Sequence, residues 1–362
     1  MAAIPDIAEE ITADWLTVAL FGSGAISCRV QNVETQPFGA DVGTLSSMVR
    51  CRLTYDDPRG DEPASVVVKL MPENPAIRQR LEELRGFERE IRFYREVAAR
   101  SLVRVPRFHY GKSAGHRAVL VLEDLGNLHI RDQIDGLSDR ETVSAALQIA
   151  RLHAHFWNRT EAANLGWVPI DDYAITQSYG DAWAGFEDVY GLRIGPEAVD
   201  LGRRLGPATG ALLEAVGQRP RTLCHGDYRA DNLFFGDRGD PDRVVVIDWQ
   251  LTTRSIGALD VARLLGGSEP PKERLRHHMD AFAAWHGALV SEGVGGYPLD
   301  EALHDLRLAA LLNLFRPIHV FSKWGPDPGG RRGRFLDAIA TRQFAFAVDI
   351  AAGNVLDQSG RL

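Results

Sequence analysis

One pattern near the middle of the chain restricts its fold more than any other. In "LCHGDYRADNLFF" (223–235), His225, Gly226, Asp227, Asp231 and Asn232 lie close together between apolar flanks, and soon afterwards "VVVIDWQ" ends a β-branched run on Asp248. A loop whose polar residues served only solubility would not need that order. A carboxylate that closes a buried strand is likewise poorly placed for solvation. The pattern requires two short strands that carry polar groups at their ends.

The remaining elements are read around this centre. At 362 residues the chain exceeds the size at which one hydrophobic core keeps growing, which predicts two domains or lobes. "ITADWLTVALFG" places Trp15, Leu16, Ala19 and Leu20 on one helical face with Gly22 as a stop. Residues 28 to 55 read as strands around a turn, and "SVVVKLM" (65–71) as a strand with a single Lys inside it. From Ala76 to Arg100, Phe87, Ile91, Tyr94 and Ala98 recur at helical spacing, and "AVLVLEDL" (118–125) is again a strand. Beyond it helices dominate, at 141–158, 272–292, 299–323 and 334–352, the long ones broken by Gly or by Pro317. The change in composition of elements puts a boundary at Glu123 to Gly126.

Charge and cysteine content narrow the function. A net charge of −8 argues against a duplex-binding surface and so against a nucleic-acid partner. Cys28, Cys51 and Cys224 form no C-x-x-C, which signals neither a disulfide framework nor a zinc site and implies a reducing cytoplasm. The acidic N-terminus lacks the pattern of a signal peptide, and no run of about 18 apolar residues predicts a membrane span. Nothing in the sequence indicates an oligomeric state.

Asp227, Asn232 and Asp248 together make an oxygen-rich set suited to Mg²⁺, and hard oxygen ligands point to phosphate chemistry more than to zinc chemistry. His-x-Asp, an Asn five residues after the Asp, and a strand-terminal Asp resemble the catalytic loop and metal motif of protein kinase-like folds. The Gly of "HGD" and the Trp of "IDW" are similar to the aminoglycoside phosphotransferase and choline kinase-like superfamily. "FEREIRFYREVA", "LVLEDL" and "HGDYRADN...IDWQ" together resemble its ecdysteroid kinase-like branch. The resemblance spans roughly residues 35 to 265 and rests on four separated pieces in the required order.

The resemblance implies an α+β, two-lobed protein kinase-like fold, with a small β-rich N-lobe (1–124) and a larger, mostly helical C-lobe (125–362). It implies ATP- and Mg²⁺-dependent transfer of the γ-phosphoryl group to the hydroxyl of a small molecule. Asp227 then corresponds to the base that aligns the acceptor hydroxyl, and Asn232 and Asp248 to the Mg²⁺ ligands. His225 corresponds to a structural residue bracing the loop. Lys69 would be paired with a Glu of the following helix and hold the α and β phosphates. Glu88 and Glu90 compete for that place, and spacing favours Glu90, which shares a helix stripe with Tyr94 and Val97. The turn 38–47, with Gly43 and Ser46 or Ser47, lacks the P-loop pattern; it would cover the phosphates or be an ordinary hairpin turn. Glu123 to Leu125 would be the hinge whose backbone reads adenine. Arg229 either neutralises charge on the transferring group, pairs with Asp231 or faces solvent. Asp260 would hydrogen-bond the catalytic loop, although N-capping alone also accounts for it.

The acceptor is less determined. Tyr173, Tyr179, Trp183, Phe186 and Tyr190, with nearby carboxylates, would suit a sterol-like alcohol or a cationic amine, and helical core packing explains the aromatics equally well. Trp249, Arg316, His319 and Trp324 are further candidates for the acceptor pocket. "HAHF" (153–156) points its two His in different directions, His277 and His278 read as solvated, and "GGRRGRF" (329–335) as an exposed basic turn or an anion grip. Two rival functions remain: a regulatory nucleotide-binding pseudokinase, which would lack one of the catalytic pieces, and a metal-dependent hydrolase, which leaves Lys69 and Asn232 without a role. A protein kinase is disfavoured because no Ala-Pro-Glu follows Asp248.

Overall fold

In the computed structural model, described for residues 3–39, 46–171, 173–236, 244–268, 274–327 and 329–359, the chain forms two compact units. The first comprises residues 1–100, 105–127 and 246–251, and the second 101–104, 128–245 and 252–362. The segment around Asp248 therefore belongs with the N-terminal residues, whereas the sequence reading places it in the C-terminal lobe. The α+β class is as expected: an antiparallel sheet in the first unit and a largely helical second unit.

The first unit opens with helix α1 (Ala13–Phe21), whose N-cap Thr12 accepts a hydrogen bond from Trp15 N at 3.2 Å. Strands β1 (Val30–Phe38), β2 (Ser47–Tyr55) and β3 (Ser65–Leu70) follow. Helices α2 (Pro75–Glu83) and α3 (Gly86–Arg92) precede β4 (Phe108–Ala114) and β5 (Arg117–Glu123). The five strands pair antiparallel in the order β1-β2-β3-β5-β4.

Side-chain alternation decides what each face of this sheet touches. Val66, Val68 and Leu70 of β3 join Val49, Cys51, Leu53, Val119 and Val121 in a core closed by Trp15, Leu16 and Leu20 of α1. Val67 and Lys69 point to the opposite face. The sequence predicts one helix over 76–100, but the chain breaks it. Arg85 takes a left-handed conformation (φ 52°) between α2 and α3, and beyond Arg92 the helix widens into a π-turn over Phe93–Val97.

The second unit begins with β6 (His129–Ile130) and α4 (Asp139–Phe156), the latter started by a capping box between Ser138 and Glu141. Next come α5 (Tyr179–Ile194), α6 (Pro196–Gly217), β7 (Thr222–Cys224), β8 (Leu233–Phe235), β9 (Val245–Val246) and β10 (Thr253–Ser255). Helices α7 (Ala258–Ser268), α8 (Arg274–Ser291), α9 (Leu299–Trp324), α10 (Arg331–Asp349) and α11 (Gly353–Ser359) complete it. β7 pairs with β10 and β6 with β8, both antiparallel.

Three local expectations are corrected here. Helix α9 continues through Pro317, whose neighbours Phe315 and Ile318 are buried, so tertiary packing outweighs the lost hydrogen bond. His278 is fully buried against the Phe346 ring, and His277 is paired with Asp139 at 2.6 Å, so neither is merely solvated. Residues 331–335 of the expected basic turn are the first turn of α10. Tyr179, Trp183, Phe186 and Tyr190 stack on one another and on Phe344 inside the unit, which makes them core.

Candidate active site

Lys69 is the penultimate residue of β3, and the alternation of the strand leaves its ammonium on the face covered by α3. There Nζ lies 2.6 Å from Glu90 Oε2 and 2.9 Å from Asp248 Oδ1, and the lysine is nearly excluded from solvent. Burial alone would lower the ammonium's pKa, but Asp248 and Glu90 overcome it and raise it, so Lys69 stays charged. The competition between the two glutamates is resolved by geometry: Glu88 is turned outward and bonded to Arg85. Of the three N–H groups on Lys69, two are used, which leaves one donor.

Asp248 owes its position to the residue after it. Trp249 is fully buried and stacks on Phe93 with 3.7 Å between ring centroids and 7° between planes. This contact docks residues 246–251 on the π-turn beyond α3 and overturns the expectation that Trp249 lines an acceptor pocket. Asp248 itself is left-handed (φ 64°), an uncommon conformation outside glycine that asparagine and aspartate tolerate best. Its side chain is 38% exposed, and among the described residues Oδ2 has no hydrogen-bond partner.

The other residues expected at this end are placed as follows. Ser46 is buried and its Oγ accepts from Gln250 Nε2 at 3.3 Å. Gly43 lies outside the described residues. Glu123 donates its amide to Arg107 O at 2.9 Å and accepts from Arg107 N at 2.8 Å through its carboxylate, so both groups tie the end of β5 to the segment before β4. Leu125 is buried, and Asp124 between them takes Arg50 Nε at 2.8 Å and Ser65 Oγ at 2.7 Å.

In the second unit, the loop after β7 is fixed by a fully buried carboxylate. Asp260, near the start of α7, accepts from His225 N at 2.7 Å and Gly226 N at 2.8 Å. Gly226 is itself at φ 83°, a conformation that favours glycine. His153 of α4 meets Asp260 Oδ2 at 3.2 Å, and Trp285 of α8 donates Nε1–H to His153 Nδ1 at 3.1 Å, which assigns the imidazole proton to Nε2. His153, Cys224 and Asp260 lie close enough to hold a metal. Each is already engaged, however, since the Cys224 thiol donates to Ile256 O at 3.3 Å and both Asp260 oxygens are bonded.

Asp227 follows in this loop and is surrounded by guanidiniums. Arg229 Nε is 3.0 Å from Oδ2, Arg263 Nε is 3.0 Å from Oδ1, and Arg316 NH1 is 3.6 Å from Oδ1. Burial would raise the carboxyl's pKa, yet Arg229, Arg263 and Arg316 hold it well below the usual carboxylate range. Arg229 also pairs with Asp231, one of the placements the sequence leaves open for it. Asn232 donates Nδ2–H to Asp227 O at 2.8 Å, and its Oδ1 is left without a donor among the described residues.

Two participants escape the sequence reading. Gln133 accepts from Ala230 N at 3.0 Å through its side-chain oxygen and donates its backbone N–H to Asp231 at 2.7 Å; it stands 97 positions before Ala230, so no local pattern marks it. Arg263 had a signal, because it stands three residues after Asp260 and so shares its helical face.

The sequence profile of the phosphotransferase enzyme family matches residues 52–292. No curated protein sequence matches the chain. Among solved structures, a microcompartment-associated aminopropanol kinase is 16% identical, with a TM-score of 0.55 over 95% of this chain and 98% of that one. An aminoglycoside phosphotransferase from Alicyclobacillus acidocaldarius is 15% identical, with a TM-score of 0.51 over 100% and 98% of the two chains. Choline kinase LicA from Streptococcus pneumoniae is 12% identical, with a TM-score of 0.51 over 87% and 94%. At these identities the structures share the kinase-like fold. Among the described residues, no helix is long and apolar enough to cross a membrane.

Proposed function

From the premise that this chain belongs to the phosphotransferase enzyme family, we propose that it transfers the γ-phosphoryl group of ATP to a hydroxyl of a small molecule in the presence of Mg²⁺. The observation that carries the reading is Asp227: an ionised carboxylate on a loop whose backbone is clamped by a buried aspartate.

The donor atoms fit a hard divalent cation. Among the described residues Asp248 Oδ2 and Asn232 Oδ1 each accept from no donor, and each is the type of oxygen that Mg²⁺ takes, one or two at a time, together with phosphate oxygens. When bound, the cation would neutralise charge on the phosphates. Lys69, fixed by Glu90 and Asp248, would direct its remaining N–H to a phosphate oxygen. Asp227 would accept the hydrogen bond of the acceptor hydroxyl and so aim its oxygen at the γ-phosphorus. Because three arginines make Asp227 a weak base, the proton would pass to it only as the new P–O bond forms, and orientation would be its larger contribution. Arg229 would offset charge on the transferring group.

The run "FEREIRFYREVA", which supplies Glu90, supports placement in the ecdysteroid kinase-like branch. Three free cysteines, two of them buried, support a reducing compartment such as the cytoplasm. The test is ADP release from Mg-ATP across a library of alcohols, amino sugars, sterols and hydroxyacyl thioesters. Asp227→Ala is expected to lower turnover about 10²- to 10⁴-fold. Turnover that survives the substitution would remove Asp227 from the chemistry.

A further inference from the structure

Arg316 has more hydrogen-bonding capacity than the protein uses. It lies on α9 with its side chain 23% exposed, donates NH2 to Gly226 O, and faces Asp227 through NH1 at 3.6 Å. A guanidinium carries five N–H donors, and among the described residues the others, Nε–H included, meet no acceptor. Arg263, by contrast, is 5% exposed and turned into the interior, and Arg229 is shared between Asp227 and Asp231. Of the three arginines around Asp227, Arg316 is the one placed to reach a further anion.

The surroundings carry the same sign. His319, Val320 and Lys323 follow Arg316 at helical spacing and stay at least partly exposed. From Arg316 to Phe335 the chain has Arg316, Lys323, Arg331, Arg332 and Arg334 against one carboxylate, Asp327, although the whole protein has a net charge of −8. Arg331 is neutralised by Asp132 at 2.6 Å, while Arg332 lies over the exposed ring of Trp324. Two of the carboxylates that would have suited a cationic amine are held by arginines, Asp171 by Arg221 at 3.1 Å and Glu187 by Arg203, whereas Asp181 and Asp188 stay exposed on α5.

We infer that the acceptor is an anionic alcohol, a hydroxy acid or a phosphate-bearing alcohol, whose negative group is bound by Arg316 while its hydroxyl lies against Asp227. This rests on the phosphotransfer reading for the hydroxyl, but the anion subsite stands on Arg316 alone. Asp227 and Arg316 are adjacent, so the hydroxyl and the anionic group must be only a few bonds apart. Arg316 is thus a specificity residue, and it discriminates against cationic amines by repulsion.

The experiment compares three small alcohols that differ in charge: 3-hydroxybutyrate, butane-1,3-diol and choline. ADP release from Mg-ATP is measured for each, together with calorimetric binding of 3-hydroxybutyrate without nucleotide. Wild type should prefer 3-hydroxybutyrate, and Arg316→Gln should raise its KM about 10- to 100-fold, the loss of one charge-assisted hydrogen bond. Because Arg316 also touches Asp227 and the loop, the variant should change kcat for every alcohol, so the readout is the ratio of KM for the acid to KM for butane-1,3-diol, which should rise in Arg316→Gln and recover in part in Arg316→Lys. If the Arg316 variants do not fold, the order in which wild type uses the three alcohols decides by itself. Preference for choline, or equal use of the diol and the acid, would overturn the inference while leaving phosphotransfer intact. Binding of 3-hydroxybutyrate that is lost in Arg316→Gln, without ADP release from any alcohol, would uphold the anion subsite and reject phosphotransfer. Neither binding nor turnover with the acid would reject the anion subsite.

Discussion

Replacing Lys69 by Met tests the ion cluster of the first unit directly, because it removes the cation that pairs with both Glu90 and Asp248. Asp248 is partly exposed and can turn to solvent, whereas Glu90 is 1% exposed and cannot. Removing one partner of a buried pair costs about 3–5 kcal/mol. Glu90 has an escape, since it can take up a proton. For a carboxyl that ionises near pH 4.3 in the unfolded chain, protonation at pH 7 costs about 1.4 kcal/mol for each of nearly three pH units, or ~4 kcal/mol. That figure caps the loss at neutral pH. In the wild-type protein burial already pushes the Glu90 carboxyl upward against the pull of Lys69, and without Lys69 the rise must be larger. A carboxyl whose folded pKa is raised favours the folded state below its unfolded pKa and loses that advantage as pH rises through the folded value. Lys69→Met should therefore be destabilised by ~4 kcal/mol at pH 7 and by only ~1 kcal/mol at pH 5. Native-state hydrogen exchange of β3 and α3 amides between these pH values reads local opening without assuming that both units unfold together. A pH-independent difference from wild type, or none, would refute the argument that Glu90 is held charged by Lys69.

Two further substitutions probe the second unit. Asp260→Ala leaves His225 N, Gly226 N and the His153 imidazole without their acceptor in the interior; it should cost roughly 3 kcal/mol or more and abolish the exchange protection of the 225 and 226 amides. Gly202→Ala puts a methyl group into the indole of Trp183, which is packed between Tyr179 and Phe186. A loss of about 1–3 kcal/mol in urea unfolding is expected, and an unchanged midpoint would show that the helix-to-helix spacing can relax.

What could be read from the sequence follows the range of the interactions. β3 was legible because β-branched residues flank one lysine, and the loop at 225–232 because its polar residues crowd into a short span. The choice of Glu90 came from helix periodicity, a local property. Arg85, in contrast, interrupts the helix through a backbone conformation that its side chain does not announce. Pro317 misleads in the other direction, since its position deep in α9 is stabilised by residues far away in sequence. The same holds for His278, which no neighbour in the chain identifies as buried, and for Arg316, whose approach to Asp227 spans 89 residues. The aromatics of α5 show the cost of reading composition without direction: their number suited a binding wall, and their orientation makes them core.

The chain of contacts from Trp285 through His153 to Asp260 gives the second unit an unusual kind of economy. Three helices that pack for stability also set the attitude of the loop that presents Asp227, through one imidazole tautomer. A change in α8 would consequently reach the 225–227 loop through hydrogen bonds alone, by way of His153 and Asp260. Evolution of this scaffold toward new acceptors has freedom along the outer face of α9, and very little behind the loop.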